Sequence, residues 1–346
     1  MDIKPITGKG IWENFMKSQK YTSPFQSWNW MEFERGMGRS IETLGMFDGK
    51  TLCGLIPIRN VRAYRGNYIW VRRGPVFDFS DMTLWTVFFD FITRKAKKER
   101  NWFVRLSPLI IEKDELKYLD IFRHLKECPM HDTDGEITLV LDLDKSEEEL
   151  LAGMRKNTRY YIKKAERDGV KIKRTQDSSD LKHFWAIYQD TVKRHKWTAY
   201  DEKYIRKEFE NFVKDDLIDV YLAEYKGKYI AGSLVVYYGN QAVYHHSGSL
   251  SNYSKIPASY LIQWKAIKEA RLRGLKQYNF WGVSPLVKQG ERFVPEEGHP
   301  WEGLTFFKLG FGGKVQQFMH AKDLPISWKY KVTRTFEAIE RWRRGY

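Results

Sequence analysis

One lysine is set apart by its surroundings. In the stretch His299-Pro300-Trp301-Glu302-Gly303-Leu304-Thr305-Phe306-Phe307-Lys308-Leu309-Gly310-Phe311-Gly312-Gly313, Lys308 is a lone cation in an apolar run. Four glycines and a proline exclude a long helix, and residues 304–311 read as a short buried strand. In a strand Leu304, Phe306 and Lys308 share one face, with Thr305, Phe307, Leu309 and Phe311 on the other. A bare ammonium buried in such a row costs several kcal/mol. Lys308 therefore either reaches water along its aliphatic stem or meets an anionic group, and the residues alone leave both readings open.

Other residues with chemical potential are of two kinds. Residues 155–174 carry Arg155, Lys156, Arg159, Lys163, Lys164, Arg167, Lys171, Lys173 and Arg174, opposed by Glu166 and Asp168. That run is either a solvated helix face or, with Tyr160 and Tyr161 interleaved, a surface for phosphates and bases. His245 and His246 are adjacent in a predicted strand, so they are expected on opposite faces and not as a metal pair. Arg35-Gly36-Met37-Gly38-Arg39-Ser40 has a faint likeness to a pyrophosphate loop. It follows a predicted helix instead of opening one, so its amides would not converge on a phosphate.

The elements that must position these groups are legible in outline. A short aromatic helix over 25–35 precedes strands over 41–47, 51–61 and 68–72, a helix over 83–100 and a strand over 102–106. Ser146 with Glu149 three residues on forms a capping box opening a helix. A basic helix over 155–168, a strand over 170–174 and helices over 180–195 and 200–214 follow. The chain then repeats itself: strands over 220–225, 229–238 and 241–249, a helix over 258–273 and a strand over 277–281. Asp48-Gly49-Lys50-Thr51-Leu52-Cys53-Gly54 matches Lys226-Gly227-Lys228-Tyr229-Ile230-Ala231-Gly232 in pattern. A shared pattern of this kind marks a duplicated unit, so two tandem α/β domains are expected, split near residue 145.

With 346 residues and 16% aromatic content, the chain can build two ordinary cores. The net charge of +15 points to an anionic partner. Cys53 and Cys128 make no disulfide framework, which fits a reducing compartment. No signal peptide or bilayer-spanning run is visible, and a cytoplasmic protein is expected. Residues 323–346 carry Lys329, Lys331, Arg334, Arg341, Arg343 and Arg344, with Phe336, Ile339 and Trp342 at helical spacing. Two readings stand: a terminal helix packed on the first domain, or one resting on anionic lipid at the inner face of the membrane.

Several stretches resemble the FemA/FemB/FemX family of peptidoglycan-bridge aminoacyltransferases. They are Phe25-Gln26-Ser27-Trp28-Asn29-Trp30, the run from Met154 through Arg155-Lys156-Asn157-Thr158-Arg159-Tyr160-Tyr161 to Ala165, residues 191–194, Tyr278-Asn279-Phe280-Trp281-Gly282, and residues 299–313. They span nearly the whole chain in the family's order. The resemblance implies an α/β (α+β) fold of two tandem GNAT-like domains, residues 1–145 plus 319–346 and residues 146–318, since the C-terminus returns to the first domain. It implies transfer of an amino acid from aminoacyl-tRNA to the stem-peptide amine of a UDP-linked or lipid-linked muropeptide. A monomer without cofactor or metal is expected.

By that resemblance Lys308 is the catalytic residue, and Arg35, Arg194, Tyr244 and Phe307 bind substrate. Arg155, Arg159, Lys163 and Lys164 are assigned to tRNA. Asn279 and Ser107 stand where relatives often carry carboxylates, which argues against a fixed general base. An aminoacyl ester is already activated, and the obstacle is the protonated acceptor amine, at a cost on the order of 4–5 kcal/mol at neutral pH. Two rival readings are an N-acyltransferase with an acyl-CoA donor and a non-catalytic tRNA-binding protein.

Overall fold

The structure, a computed structural model, describes residues 1–64, 66–130, 135–195, 199–289 and 292–344. From the N-terminus it runs β1 (Asp2–Pro5), α1 (Lys9–Lys17), α2 (Trp28–Gly36), β2 (Ser40–Asp48), β3 (Thr51–Ala63), β4 (Gly66–Val71), β5 (Val76–Phe77), α3 (Met82–Lys98), β6 (Phe103–Leu106), α4 (Leu119–Phe122) and β7 (Lys126–Glu127). Next come β8 (Ile137–Asp142), α5 (Glu147–Gly153), α6 (Lys156–Arg167), β9 (Lys171–Thr175), α7 (Leu181–His195), α8 (Glu202–Phe212), β10 (Ile218–Tyr225), β11 (Lys228–Tyr238) and β12 (Gln241–Ser249). The chain continues through α9 (Ala258–Leu272), β13 (Gln277–Gly282), β14 (Leu286–Gln289), β15 (Arg292–Pro295) and α10 (Glu302–Leu309). It closes with β16 (Lys314–Gln317), β17 (Lys322–Pro325) and α11 (Tyr330–Arg344).

These elements form two compact units, Met1–Glu136 with Gln317–Tyr346, and Ile137–Gln316. Strand order in the first is β1-β2-β3-β4-β6-β17-β7, and in the second β16-β8-β13-β12-β11-β10-β9. The duplication seen in the sequence is a shared topology. Each unit has a hairpin, a third strand, a helix, and a strand parallel to the third: β4 with β6, and β12 with β13. An antiparallel neighbour then follows, β17 in one unit and β8 in the other. The division therefore falls at residue 136 and not near 145. Residues 137–142, expected in the first domain, pair with β13 and complete the second sheet.

Helix α3 starts at Asp81, whose carboxylate accepts from the Thr83 and Leu84 amides, and it ends in Lys95, Lys97 and Lys98, which suit the negative helix terminus. Its Leu84, Trp85, Phe88, Ile92 and Ala96 recur on one face and enter the first core. Burying a side chain such as Phe88 contributes roughly 1.5–3 kcal/mol. In the second unit α9 places Leu261, Ile262, Ala266, Ile267 and Ala270 in the core. The Ser146 capping box opens α5 as expected.

The C-terminal segment is tied to the first unit by a buried ion cluster. Arg105 on β6 donates to both oxygens of Asp323, at 2.8 and 2.9 Å, and to both of Glu337, at 3.1 and 2.7 Å. The Tyr330 hydroxyl adds a bond to Asp323 at 3.1 Å. That network decides which side of α11 turns inward. Tyr330, Thr333 and Glu337 are buried, while Val332, Phe336, Ile339 and Trp342 lie on the exposed side. The apolar stripe thus faces outward instead of packing on the domain. Of the tail's cations, the Arg344 side chain and residues 345–346 lie outside the described residues.

Candidate functional site

Lys308 lies in a helix, not in the expected strand. A run of eight mostly apolar residues fits either state, and the flanking glycines limit length without choosing between them. The change of period changes Lys308's neighbours. Thr305 and Lys308, three apart, form the buried face of α10, while Leu304 and Phe306 are exposed. Only 4% of Lys308 is accessible, and its Nζ donates to the Gly282 carbonyl at 2.6 Å.

Four hydrogen bonds and a ring contact fix α10 in place. Thr305 Oγ1 accepts from the Ser284 amide at 2.8 Å, so the helix is pinned to the chain leaving β13 at two adjacent points. On its other side the Arg155 amide donates to the Gly310 carbonyl at 2.9 Å. The Arg155 guanidinium donates to the Phe306 carbonyl at 2.6 Å and lies 4.0 Å from the Phe306 ring centre. The glycines now have reasons. A Cβ on Gly310 would collide with Thr158 Oγ1 of α6, and Gly313, at φ +94°, would press a Cβ against the Val140 carbonyl.

The acceptor of Lys308 is itself held by an unusual turn. Trp281, immediately before Gly282, has φ +63°, a left-handed conformation that costs a bulky residue about 1–2 kcal/mol. Asn279 stabilises it: its Oδ1 accepts from the Trp281 amide at 2.7 Å and from the Thr138 hydroxyl, and its Nδ2 donates to Gln241 at 2.9 Å. Asn279 thus positions the backbone that positions Lys308. Ser107, the other site of a missing carboxylate, is buried in the first unit and accepts from the Arg73 amide at 3.2 Å.

Tyr244 on β12 presents its ring to Lys308, with Nζ 5.9 Å from the centroid. Burial pushes its phenol up to about 12, so it stays protonated at neutral pH. Phe307 packs edge-on to Tyr260 and Phe311 at 4.8 and 5.4 Å, partly buried at the core margin. Lys308, Tyr244 and Phe307 therefore share one region of the second unit.

The basic groups separate by role. Arg159 donates to the carbonyls of Leu151, Ala152 and Met154, closing the end of α5; its guanidinium serves the fold. Lys164 pairs with Asp168. Lys156, Tyr160, Lys163 and Arg167 recur along one exposed face of α6, with Arg167 over the Tyr160 ring at 5.8 Å. Arg194, in the last turn of α7, donates to the Ser249 carbonyl and hydroxyl at 3.2 and 3.3 Å. Arg35 belongs to the first unit, where it pairs with Glu32 at 2.7 Å and donates to Thr43 at 3.0 Å. The loop after it runs off the C-terminal end of α2 into β2.

The expectation for His245 and His246 is overturned. Their strand pairs Leu234 with His246 and Val235 with Tyr244, leaving His245 as the extra residue of a β-bulge. The bulge turns both imidazoles to the same carboxylate, Glu208 on α8, with each Nε2 2.9 Å from one of its oxygens. No signal in the sequence marks that bulge.

A model of the FemAB family matches residues 9–229 and 223–338. The chain belongs to the FemAB family. Its relatives include the UDP-N-acetylmuramoylpentapeptide-lysine N(6)-alanyltransferase of Weissella viridescens, 23% identical over 282 residues covering 79% of this chain and 83% of the relative. The lipid II:glycine glycyltransferase of Staphylococcus haemolyticus is 21% identical over 332 residues, covering 74% and 77%. Among solved structures, FemX superposes with a TM-score of 0.82 at 16% identity, covering 97% of this chain and 100% of its own. A tandem GNAT protein from the clavulanic acid pathway gives 0.52 at 11% identity, covering 91% and 87%. The FemAB-family chain is thus built of two GNAT-like domains, as its repeated topology indicates.

Proposed function

We propose that this FemAB-family protein is an aminoacyltransferase of cell-wall cross-bridge formation. It moves an amino acid from aminoacyl-tRNA to the stem-peptide amine of a muropeptide precursor. The observation that carries the proposal is a buried lysine on a pinned helix, Lys308 on Gly282, in a chain whose relatives are named an alanyltransferase of UDP-N-acetylmuramoylpentapeptide-lysine and a lipid II:glycine glycyltransferase. The acceptor nitrogen attacks the ester carbonyl; the new C–N bond forms, the C–O bond to the terminal ribose breaks, and the proton from nitrogen ends on the departing ribose oxygen. Lys308 supplies positive charge to the oxyanion, a role in which loss of one donor costs about 10²–10³-fold in turnover. The substrate itself carries the proton across, so no fixed carboxylate base is required.

In this reading the exposed α6 face of Lys156, Tyr160, Lys163 and Arg167 meets the tRNA backbone, and Arg155 with Phe306 borders the aminoacyl end. In the second unit Arg194 holds a phosphate of the acceptor, and Tyr244 and Phe307 line the reacting region. The protein acts as a monomer. Incubating it with mixed aminoacyl-tRNAs and either UDP-MurNAc-pentapeptide or lipid II should add the mass of one aminoacyl residue to one of the two precursors. Release of free thiol from an acyl-CoA with no tRNA-dependent product would overturn the assignment. Tight tRNA binding with the ester left intact would do so as well.

The exposed side of α11 favours an acceptor at a membrane. Val332, Phe336, Ile339 and Trp342 recur at helical spacing on the exposed side of α11, and Trp328 is exposed in the turn before it. The two tryptophans are 74% (Trp328) and 81% (Trp342) accessible, and Lys329, Lys331, Arg341 and Arg343 are also exposed. An apolar line with a basic rim suits anionic lipid, each cation near the surface contributing about 1 kcal/mol. Among the described residues no helix is long and apolar enough to cross a membrane. Sedimentation with anionic but not neutral vesicles, abolished by Trp328→Ser with Trp342→Ser, is the expected result. Failure to sediment with either would leave the nucleotide-linked precursor as the acceptor.

A further inference from the structure

We infer that Glu208, His245 and His246 form a site for a divalent transition metal, with Zn²⁺ the ion that fits the donor set. Both imidazoles reach the carboxylate through Nε2, and the ligating atoms of all three residues lie within 4.8 Å of one another. Two neutral nitrogens and one carboxylate are a borderline donor set suited to zinc.

The surroundings argue for a cation at this point. Glu208 is fully buried on α8 among Tyr204, Ile205, Phe209 and Phe212, where a carboxylate without a compensating charge is costly. Its Oε2 is 2.9 Å from His246 Nε2 in hydrogen-bonding geometry. Its Oε1 lies 2.9 Å from His245 Nε2, so two imidazole nitrogens converge on the two oxygens of one buried carboxylate. Nitrogen and oxygen donors gathered in this way are what a shared ion requires. Zinc bonds of about 2.0–2.1 Å at tetrahedral angles would set the ligand atoms roughly 3.3 Å apart, close to the 2.9 Å carboxylate–imidazole distances and within the 4.8 Å that spans all three residues.

The site also has a structural context. It joins α8 to the bulge of β12, one residue after Tyr244, whose ring faces Lys308. The His245 ring stands edge-on to Trp281 at 6.1 Å, and Trp281 precedes the Gly282 carbonyl that accepts from Lys308. An ion here would clamp α8 to the bulge beside Tyr244 and fix the His245 ring that packs on Trp281. Glu208, His245 and His246 are positioning residues in this scheme; none touches the reacting atoms.

The test is metal content and its effect on thermal stability, neither of which needs substrate. Untagged wild-type protein, purified without chelator, should carry about one zinc per chain by elemental analysis. Protein stripped with a strong chelator should regain its thermal midpoint on titration with Zn²⁺ alone, by roughly 5–10 °C at a hundredfold excess over Kd. Co²⁺ should give the visible absorption of a low-coordinate N/O site. Glu208→Gln and the double variant His245→Asn/His246→Asn should lose the metal. The wild-type titration stands by itself should a variant fail to fold. Wild-type protein with no metal and no response to Zn²⁺ or chelator would overturn the proposal, leaving a carboxylate balanced by a proton on imidazole. Metal retained by both variants would overturn it equally.

Discussion

Replacing Asn279 by alanine tests whether Lys308 depends on the turn beneath it. The change removes the Oδ1 that accepts from the Trp281 amide and the Thr138 hydroxyl. Both donors are left in a buried setting, at about 1–3 kcal/mol for each unsatisfied group, partly relieved by relaxation. Trp281 also loses what holds its left-handed conformation. The expected cost is about 2–4 kcal/mol, read as a fall in the urea midpoint without change in slope. Because the Gly282 carbonyl carries Lys308 Nζ at 2.6 Å, its displacement should lower kcat by about tenfold or more with KM little changed. Asn279→Asp keeps the acceptor and needs only that the Gln241 amide turn over to present its nitrogen. It should therefore lie closer to wild type in both readouts. An alanine variant within about 0.5 kcal/mol of wild type and equal in kcat would refute this chain of support.

Three further outcomes follow from the geometry. Arg105→Met strands Asp323 and Glu337 as buried carboxylates and should destabilise the protein by about 3–5 kcal/mol; a loss under about 1 kcal/mol in urea denaturation would show that the cluster holds the C-terminal segment only weakly. Burial opposes charge on His320, but its bonds to Glu136 at 2.6 Å and the Cys128 carbonyl at 2.7 Å outweigh that and raise its pKa. A raised folded-state value means that this stabilisation is complete below the unfolded value near 6.5 and fades as pH rises through the folded one, so wild type should lose more stability than His320→Asn from about pH 6 to about pH 8; parallel profiles would contradict it. Lys163→Glu with Arg167→Glu should weaken tRNA binding and lower the salt slope by about one for each phosphate no longer neutralised, whereas an unchanged slope would return α6 to an ordinary solvated face.

The sequence and the structure part company where two conformations share one pattern. Strands separated by Asp48-Gly49, Lys226-Gly227 and Gly239-Asn240 are readable because turn residues mark them, and the Ser146 cap because its spacing is local. Residues 302–309 mislead because an almost wholly apolar run has no period to favour strand over helix. Lys308 is still legible as an anomaly, since a cation in an apolar run needs an explanation in either state. The bulge at His245 depends on how β11 and β12 register, a non-local fact. For the same reason the sequence places β8 in the wrong domain: its partner β13 lies more than a hundred residues away. The outward apolar stripe of α11 is visible as a stripe, but its direction is set by Arg105, which lies far upstream.

In the proposed reaction buried Lys308 drives transfer from aminoacyl-tRNA to a muropeptide amine. Its most direct test is single-turnover transfer by wild type and Lys308→Met, with charged tRNA and precursor saturating and the modified precursor detected by mass. Methionine fills the same volume without the charge but leaves the buried Gly282 carbonyl without its donor, so stability in urea should fall by only about 1–3 kcal/mol while the rate falls by about 10²-fold or more. A variant that transfers at the wild-type rate would make Lys308 a structural lysine and contradict the account.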